Sequence, residues 1–199
     1  MAKNKNGKRG EKAILSFFAE AGVLKQIKRS GWWFIGARDA ESVAEHSFRC
    51  CAIGYVLAKM EKIAPYKVVM MALLNDIHEA RLTDLHKLAQ RYIDLGQAEK
   101  KAFSEQIKLL PQFLRQDLEG LHSELRNQKT KAAILARDAD ILECLIQAKE
   151  YREQGFIQAD KFMKKAPKHL KSGSARKLWN AAKNTELNKW WFALSDFKR

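Results

Sequence analysis

The chain has 199 residues, of which 46% are hydrophobic and 30% are charged, a composition typical of one globular domain with a sizeable core. No apolar run approaches the ~20 residues that cross a bilayer, and no apolar segment follows the basic N-terminus, so we expect a cytoplasmic protein without a membrane partner. The three cysteines lie within apolar helical patterns, and two of them are adjacent. They indicate small buried side chains, not a disulfide framework or a zinc site.

The formal net charge of +14 predicts an anionic partner, such as a nucleotide, a nucleic acid or another polyanion. Residues 1–10 are rich in Lys, Asn and Gly, which predicts a disordered basic arm. Residues 11–199 are predicted to form a single helical domain with a C-terminal helical extension. A basic tail and a solvated helix face also explain the charge pattern, so a dedicated nucleic-acid surface is one of two alternatives.

Apolar residues repeat with a helical period through most of the chain, and no stretch shows the alternation of a strand. The sequence therefore predicts an all-α fold, a bundle of about eight to ten helices. After a first helix from residue 11, the predicted helices cover residues 41–62, 65–76, 85–92, 98–109, 111–121, 129–152, 156–165 and 178–197.

Three polar residues lie at inward-facing positions of separate predicted helices: His46, Asp76 and Asp140. One imidazole and two carboxylates that converge in a helical bundle suit a divalent cation such as Mn, Co, Mg or Fe(II) better than a structural zinc ion. Such a cation lowers the pKa of bound water and neutralises phosphate, which is the chemistry of phosphoester hydrolysis. A core histidine with satisfied hydrogen bonds and a helix end with solvated acids are the structural alternative.

Three segments, taken in this order, resemble the motifs of the HD-domain metal-dependent phosphohydrolases: residues 41–47 (ESVAEHS), 72–84 (ALLNDIHEARLTD) and 138–143 (DADILE). Within that family the chain is most similar to the 5′-deoxynucleotidase branch. The resemblance implies an all-α HD-domain helical bundle, commonly a homodimer. It also implies that the protein removes phosphate from (deoxy)nucleoside 5′-monophosphates with the help of a divalent cation.

The resemblance assigns roles to four residues around the cation. His46, Asp76 and Asp140 would be metal ligands, and Asp76 would therefore belong to the catalytic residues as well. Glu79 would orient or deprotonate the attacking water, or would protonate the leaving oxygen. On a continuous α-helix Asn75 and Glu79 share one face, and Asp76 is offset from it by about 100°.

The loop over residues 28–36 contains two glycines and the adjacent Trp32 and Trp33. Paired tryptophans pack in a core or hold a base or sugar in a nucleotide pocket, and this stretch alone leaves both interpretations open. The resemblance implies that Trp32 lines the nucleotide pocket and that Arg29 contacts the phosphate. It also implies that Asp84 accepts a hydrogen bond from the sugar hydroxyl.

One position departs from the family pattern. The family has an adjacent His-Asp pair where this chain has Asn75 and Asp76, and an amide oxygen is a weaker ligand than an imidazole for these cations. Our leading hypothesis is an enzyme that Asn75, natural or introduced, weakens or inactivates. In a second version Asn75, water or His78 completes the metal shell, although His78 lies about 200° from Asp76 around a helix. The alternative is a catalytically silent HD-fold protein that binds a nucleotide or a nucleic acid.

Overall fold

The computed structural model describes the backbone of residues 2–194 and the side chains of residues 10–190 and 194. Within these limits the backbone forms helices and turns without a strand, apart from one isolated bridge between Lys28 and Ser42. The all-α prediction is thereby confirmed. None of the described helices combines the length and the apolar character that crossing a membrane requires. The α-helices are α1 (Ala2–Gly22), α2 (Val43–Met60), α3 (Pro65–Leu74), α4 (Glu79–Leu82), α5 (Leu95–Ile107), α6 (Gln112–Asn127), α7 (Lys131–Glu153), α8 (Asp160–Lys165), α9 (Gly173–Lys183) and α10 (Lys189–Leu194).

Helix α7 is the centre of the bundle, and α2, α3, α6 and α9 pack around it. Its apolar side chains join those of α2 and α3 in one core, in which Leu57, Met71 and Leu142 are almost completely buried. Burying a side chain of this size stabilises the fold by about 1.5–3 kcal/mol. Gly54 lets α2 approach α3 closely, because a Cβ atom at this position would lie 3.2 Å from Cγ1 of Val68.

The start of α2 is fixed by a capping box. The Ser42 hydroxyl accepts a hydrogen bond from the backbone N–H of Glu45 at 3.2 Å, and the Glu45 carboxylate accepts one from the backbone N–H of Ser42 at 2.6 Å. The backbone N–H of Arg29 donates to the carbonyl of Glu41 at 2.9 Å, which attaches the loop after α1 to the same point. This capped start therefore holds the Arg29 loop next to the first turn of α2, which carries His46.

The prediction of a helix over residues 85–92 is wrong. The segment forms turns and the short 3₁₀ helix Ala89–Arg91. The ring nitrogen Nδ1 of His86 accepts a hydrogen bond from the backbone N–H of Ala89 at 3.1 Å. A side chain that takes a backbone donor in this way competes with the regular helical bonds, and the apolar periodicity does not reveal this competition.

The helix predicted over residues 178–197 has the wrong extent. Helix α9 already begins at Gly173, where Ser172 caps it through the backbone N–H of Ala175. The helix ends at Lys183, and α10 starts at Lys189. Residues 195–199, and with them the predicted end of this helix, lie outside the described residues.

Helix α1 begins at Ala2, so the backbone of residues 2–10 continues the helix in a segment whose composition predicts a disordered arm. Farther along α1, the half-buried Ile14 and Phe17 pack against the apolar cluster that contains Leu24. The division of the chain into an arm and a domain at residue 10 stays a prediction, and Met1 lies outside the described residues.

Asp138 joins α7 to the segment before α9. Its side chain is buried, and its two carboxylate oxygens accept hydrogen bonds from the backbone N–H groups of Lys171 at 2.9 Å and Ser172 at 2.6 Å. These two donors precede a helix start and have no helical acceptor of their own. The carboxylate therefore fixes the chain reversal that packs α9 on α7.

Replacing Asp138 with alanine is expected to lower the free energy of unfolding by about 2–4 kcal/mol, because two backbone N–H groups lose their acceptors in a buried place. Urea denaturation followed by circular dichroism measures this loss. The matched control is Asp117→Ala at an exposed position of α6, which should stay within about 0.5 kcal/mol of the parent. Equal effects of the two substitutions would contradict a structural role for the Asp138 carboxylate.

Candidate metal centre and active site

The backbone between α3 and α4 has fewer residues per turn than an α-helix. The backbone N–H of Ile77 donates to the carbonyl of Leu74 at 3.3 Å, and that of Glu79 donates to the carbonyl of Asp76 at 3.0 Å. Bonds between residues three apart give about three residues per turn, which places Asp76 and Glu79 on the same side of the chain. The prediction that Asn75 and Glu79 share a face assumed a continuous α-helix, and α3 ends at Leu74.

His46 of α2, Asp76 of the turn after α3 and Asp140 of α7 meet in the interior. The Nε2 atom of His46 lies 3.1 Å from an oxygen of Asp140 and 3.4 Å from an oxygen of Asp76. One ligand atom from each of the three residues lies within 4.8 Å of the other two. One ring nitrogen and two carboxylate oxygens at this spacing fit a divalent cation, which the three side chains would hold.

Both carboxylates of this cluster are ionised at neutral pH. Burial on its own raises the pKa of Asp140, but the hydrogen bond from His46 and the Arg137 guanidinium at 2.8 Å outweigh burial and lower it. Burial likewise opposes ionisation of Asp76, and the His46 and Arg29 side chains outweigh it and lower the pKa. Ionised carboxylates are the form that binds a cation.

Glu143 holds the imidazole of His46 from the other side. It is completely buried in α7, and its carboxylate makes a short hydrogen bond to Nδ1 of His46. Arg49 bridges the same carboxylate to that of Glu150, with its Nε atom 2.9 Å from Glu143. A carboxylate on one ring nitrogen orients the other nitrogen toward a metal. The sequence prediction missed Glu143, although its position three residues after Asp140 is a usable signal for a shared helix face.

Arg29 lies at the edge of the cluster. Its Nη1 atom is 3.5 Å from an oxygen of Asp76 and 3.5 Å from an oxygen of Asp84. The other oxygen of Asp84 accepts hydrogen bonds from the backbone N–H of Ser30 at 2.5 Å and from its hydroxyl at 2.9 Å. Asp84 therefore fixes the loop that carries Arg29, a role that the sequence does not reveal. The preceding Thr83 has a φ of 61°, a strained backbone conformation for a β-branched residue.

Glu79 is a buried acidic residue close to the cluster. Its side chain is buried, and within the described residues its Oε2 atom has no hydrogen-bond partner. Burial, together with the neighbouring carboxylates of Asp76 and Asp84, raises the pKa of Glu79 to about 10. The raised pKa favours the protonated form of Glu79, which can donate a proton.

Asn75 contacts the cluster as a hydrogen-bond donor. Its half-buried amide donates from Nδ2 to Oδ1 of Asp76 at 2.6 Å. His78, the other side chain considered for the metal shell, is buried with its Nε2 atom 3.4 Å from the carboxylate of Glu99. Its ring is therefore paired with Glu99 and not with Asp76.

The prediction that Trp32 lines the nucleotide pocket is not confirmed. Trp32 is 2% exposed and packs against Tyr151 and Phe162, with ring centroids 5.2 and 4.7 Å away. Its Nε1 atom donates to the carboxylate of Glu41 at 2.9 Å. The first tryptophan of the pair therefore belongs to the core beneath the loop, while Trp33 is 55% exposed.

A cavity of about 800 Å³ opens over the cluster. Its wall contains Asp76 and Asp140, and the apolar side chains of Ile141 and Cys144 form another part of it. This size and this mixture of apolar wall and convergent polar groups are typical of small-molecule sites. The cations in the wall are Arg29, Lys87, Arg126, Arg137 and Lys171. The structure thus brings together all the predicted site residues except Trp32: His46, Asn75, Asp76, Asp140, Glu79, Arg29 and Asp84.

A helical bundle in which a histidine and two aspartates converge on one buried point is a metal-binding all-α domain. The family model of the HD domain matches residues 21–179, so the chain belongs to the HD domain family. The chain is 33% identical over 150 residues to a Dictyostelium discoideum protein named 5′-deoxynucleotidase HDDC2, with 70% of this chain and 78% of the relative covered. It is 28% identical over 145 residues to the Homo sapiens protein of the same name, covering 72% and 71% of the two chains.

The fold has a close counterpart among solved structures. A conserved hypothetical protein from Pyrococcus furiosus superimposes with a TM-score of 0.74 at 29% sequence identity. The superposition covers 86% of this chain and 99% of the archaeal protein. The helical arrangement around the cluster is therefore shared nearly end to end with that protein.

Glu41 gives the stability a pH dependence that can be measured. Burial, aided by the carboxylate of Glu143, raises the pKa of Glu41 to about 7 from its ordinary value of 4.5. A raised pKa stabilises the folded state below about pH 4.5, and this contribution is lost as the pH rises through about 7. Glu41→Gln stays neutral and retains an acceptor for Trp32. The free energy of unfolding of this variant, measured relative to that of the parent, should therefore be about 2–3 kcal/mol higher at pH 8 than at pH 5.

Thermal and urea unfolding at both pH values, in a chelator that removes metal effects, measure this gain. Glu119→Gln at an exposed position of α6 is the matched control, and its difference from the parent should not change with pH. A Glu41→Gln difference that is equally constant between pH 5 and pH 8 would contradict an ionisation near pH 7.

Proposed function

We propose that this protein is a metal-dependent phosphohydrolase that removes the phosphate from (deoxy)nucleoside 5′-monophosphates, as the names of its relatives state for them. The observation that carries the proposal is the convergence of His46, Asp76 and Asp140 within 4.8 Å, with Arg29 beside them and the buried Glu79 near Asp76. Burying ionisable groups is costly even where they are paired, so a site without a ligand would often be as stable or more stable with apolar side chains here.

A divalent cation, whether Co, Mn, Mg or Fe, would be held by His46, Asp76 and Asp140. It would supply an activated water and would neutralise charge on the phosphate. Glu143 keeps the His46 ring in the orientation that presents Nε2 to the two aspartates. The three ligands and this supporting carboxylate form one rigid unit between α2, α7 and the turn after α3.

The remaining residues act on the substrate. Arg29 pairs with phosphate oxygens, since its guanidinium lies at the edge of the acidic cluster. Water attacks the phosphorus atom, the bond from phosphorus to O5′ breaks, and Glu79 gives its proton to the departing O5′. The proton released by the water restores Glu79, so the products are a neutral nucleoside hydroxyl and inorganic phosphate. Asp84 accepts a hydrogen bond from the sugar hydroxyl through Oδ1, the oxygen that Arg29 Nη1 approaches to 3.5 Å and that Ser30 does not contact.

A second function, a catalytically silent protein that binds a nucleotide or a nucleic acid, is favoured by Asn75 and by the cations in the cavity wall. It predicts nucleotide binding without phosphate release, and binding to oligonucleotides that weakens steeply as salt is added. The same assay distinguishes the two functions, because only the first one consumes the substrate.

The test is phosphate release from a panel of 5′-deoxynucleoside and 5′-ribonucleoside monophosphates with Co, Mn or Mg. We expect turnover that requires the cation and falls at least about 100-fold in Glu79→Gln, because this variant keeps the shape of the side chain but cannot give up a proton in the same way. The control Glu119→Gln on the surface of α6 should retain the parent activity. Asn75→His is expected to raise turnover, since it adds an imidazole beside the cluster.

Three outcomes separate the hypotheses. Metal-independent release, or full activity in Glu79→Gln, would contradict the proposed chemistry. Release by Asn75→His alone would identify a nucleotidase that Asn75 silences. Nucleotide binding without release by either form would support the silent binding protein instead.

We also propose a homodimer and a cytoplasmic location. The dimer is supported by large apolar side chains on the outer face of α2, where Phe48 is 77% and Tyr55 is 51% exposed. The location is supported by the cysteines of the described residues, all of which are free thiols. Sedimentation equilibrium decides the first proposal, since it gives the mass of the assembly in solution.

A further inference from the structure

Asn75 determines which oxygen of Asp76 is available. The amide donates to Oδ1 of Asp76 at 2.6 Å, while Oδ2 is the oxygen that lies 3.4 Å from His46 Nε2. Asp76 therefore faces His46 through Oδ2, while Oδ1 accepts the hydrogen bond from the Asn75 amide. Asn75 contributes a hydrogen bond at a position from which a histidine would contribute a ring nitrogen.

Two other donors lie near the cluster. The Nε2 atom of the His78 ring is 3.4 Å from the carboxylate of Glu99. The Cys50 sulfur is 3.3 Å from His46 Nε2, and with His46 and Glu143 it forms a second group that could hold a cation. This second group does not include Asp76 or Asn75. The group of His46, Asp76 and Asp140, which Asn75 contacts, offers one nitrogen and two carboxylate ligands.

Ligand atoms of this kind, mostly carboxylate oxygens, are typical of sites that bind hard cations. Carboxylate, carbonyl and water oxygens suit Mg²⁺ and Mn²⁺, whereas imidazole nitrogens favour Co²⁺ and Zn²⁺. Mg²⁺ also retains several water molecules and is commonly held by one or two carboxylates together with substrate phosphates. A site with two carboxylates, one imidazole and an open cavity beside it meets this requirement.

We infer that Asn75 is a specificity-determining residue that makes this a magnesium or manganese site, by holding Asp76 as a one-oxygen ligand and by withholding a second ring nitrogen from the cation. The inference rests on the metal centre of the proposed function, but it concerns the class of cation and not the substrate. It predicts that a single substitution at position 75 changes the ratio of two metal affinities while the fold is unchanged.

The experiment is direct metal binding without nucleotide. The electron paramagnetic resonance signal of free Mn²⁺ gives its affinity, and competition with Co²⁺, followed by the visible absorption of Co²⁺, gives the ratio of the two affinities. Replacing Asn75 with histidine should raise the affinity for Co²⁺ relative to Mn²⁺ by about 10-fold or more, because nitrogen donors discriminate between these ions. Circular dichroism establishes that each variant is folded.

His78→Asn is the matched control, since it makes the reverse exchange of side chains three residues away in the same turn. It should leave the affinity ratio unchanged, because His78 is paired with Glu99 and not with the cluster. His78→Gln serves the same purpose if the first variant does not fold.

Two results would overturn the inference: an affinity ratio that shifts less than 3-fold in Asn75→His, or a ratio that falls in the His78 variants. Failure of the proposed function is distinguishable from both. Phosphate release can be absent while the metal ratio responds to position 75 as expected, in which case the inference stands and the enzymatic role does not.

Discussion

The buried imidazole of His46 is the interaction on which the rest of the site depends. Its two nitrogens face carboxylates on opposite sides, Glu143 at Nδ1 and Asp76 with Asp140 at Nε2. Charges in a low-dielectric interior are stable only when they compensate one another. Helices α2 and α7 and the turn after α3 must therefore meet in a single arrangement, because any shift between them would leave one of these groups without its partner.

Much of this arrangement follows from the sequence. The apolar periodicity locates α2, α3 and α7, and the polar exceptions to it, His46, Asp76 and Asp140, are the residues that converge. The capping box at Ser42 is readable as well, because it depends on residues three positions apart. Signals of this kind are local, and each is set by physical rules that act over one or two turns of the chain.

The features that the sequence left open or did not predict depend on partners far apart in the chain or on a local change of helical pitch. Trp32 is a core residue because Tyr151 and Phe162 lie more than a hundred positions away and cover it. Asp76 and Glu79 face the same side because hydrogen bonds between residues three apart replace α-helical ones at the end of α3. Hydrophobic periodicity reports that a position is buried, but it does not report which partner buries it.

A buried carboxyl oxygen without a hydrogen-bond partner also bears on the function of the site. Within the described residues, Oε2 of the buried Glu79 has no hydrogen bond. An unsatisfied polar atom in a buried place costs about 1–3 kcal/mol, so a purely structural site would be more stable with an apolar side chain here. A phosphoester leaving oxygen is a group that such a proton donor would complete, and it is present only while substrate is bound. The unpaired acid is therefore better explained by chemistry at this site than by the stability of the fold.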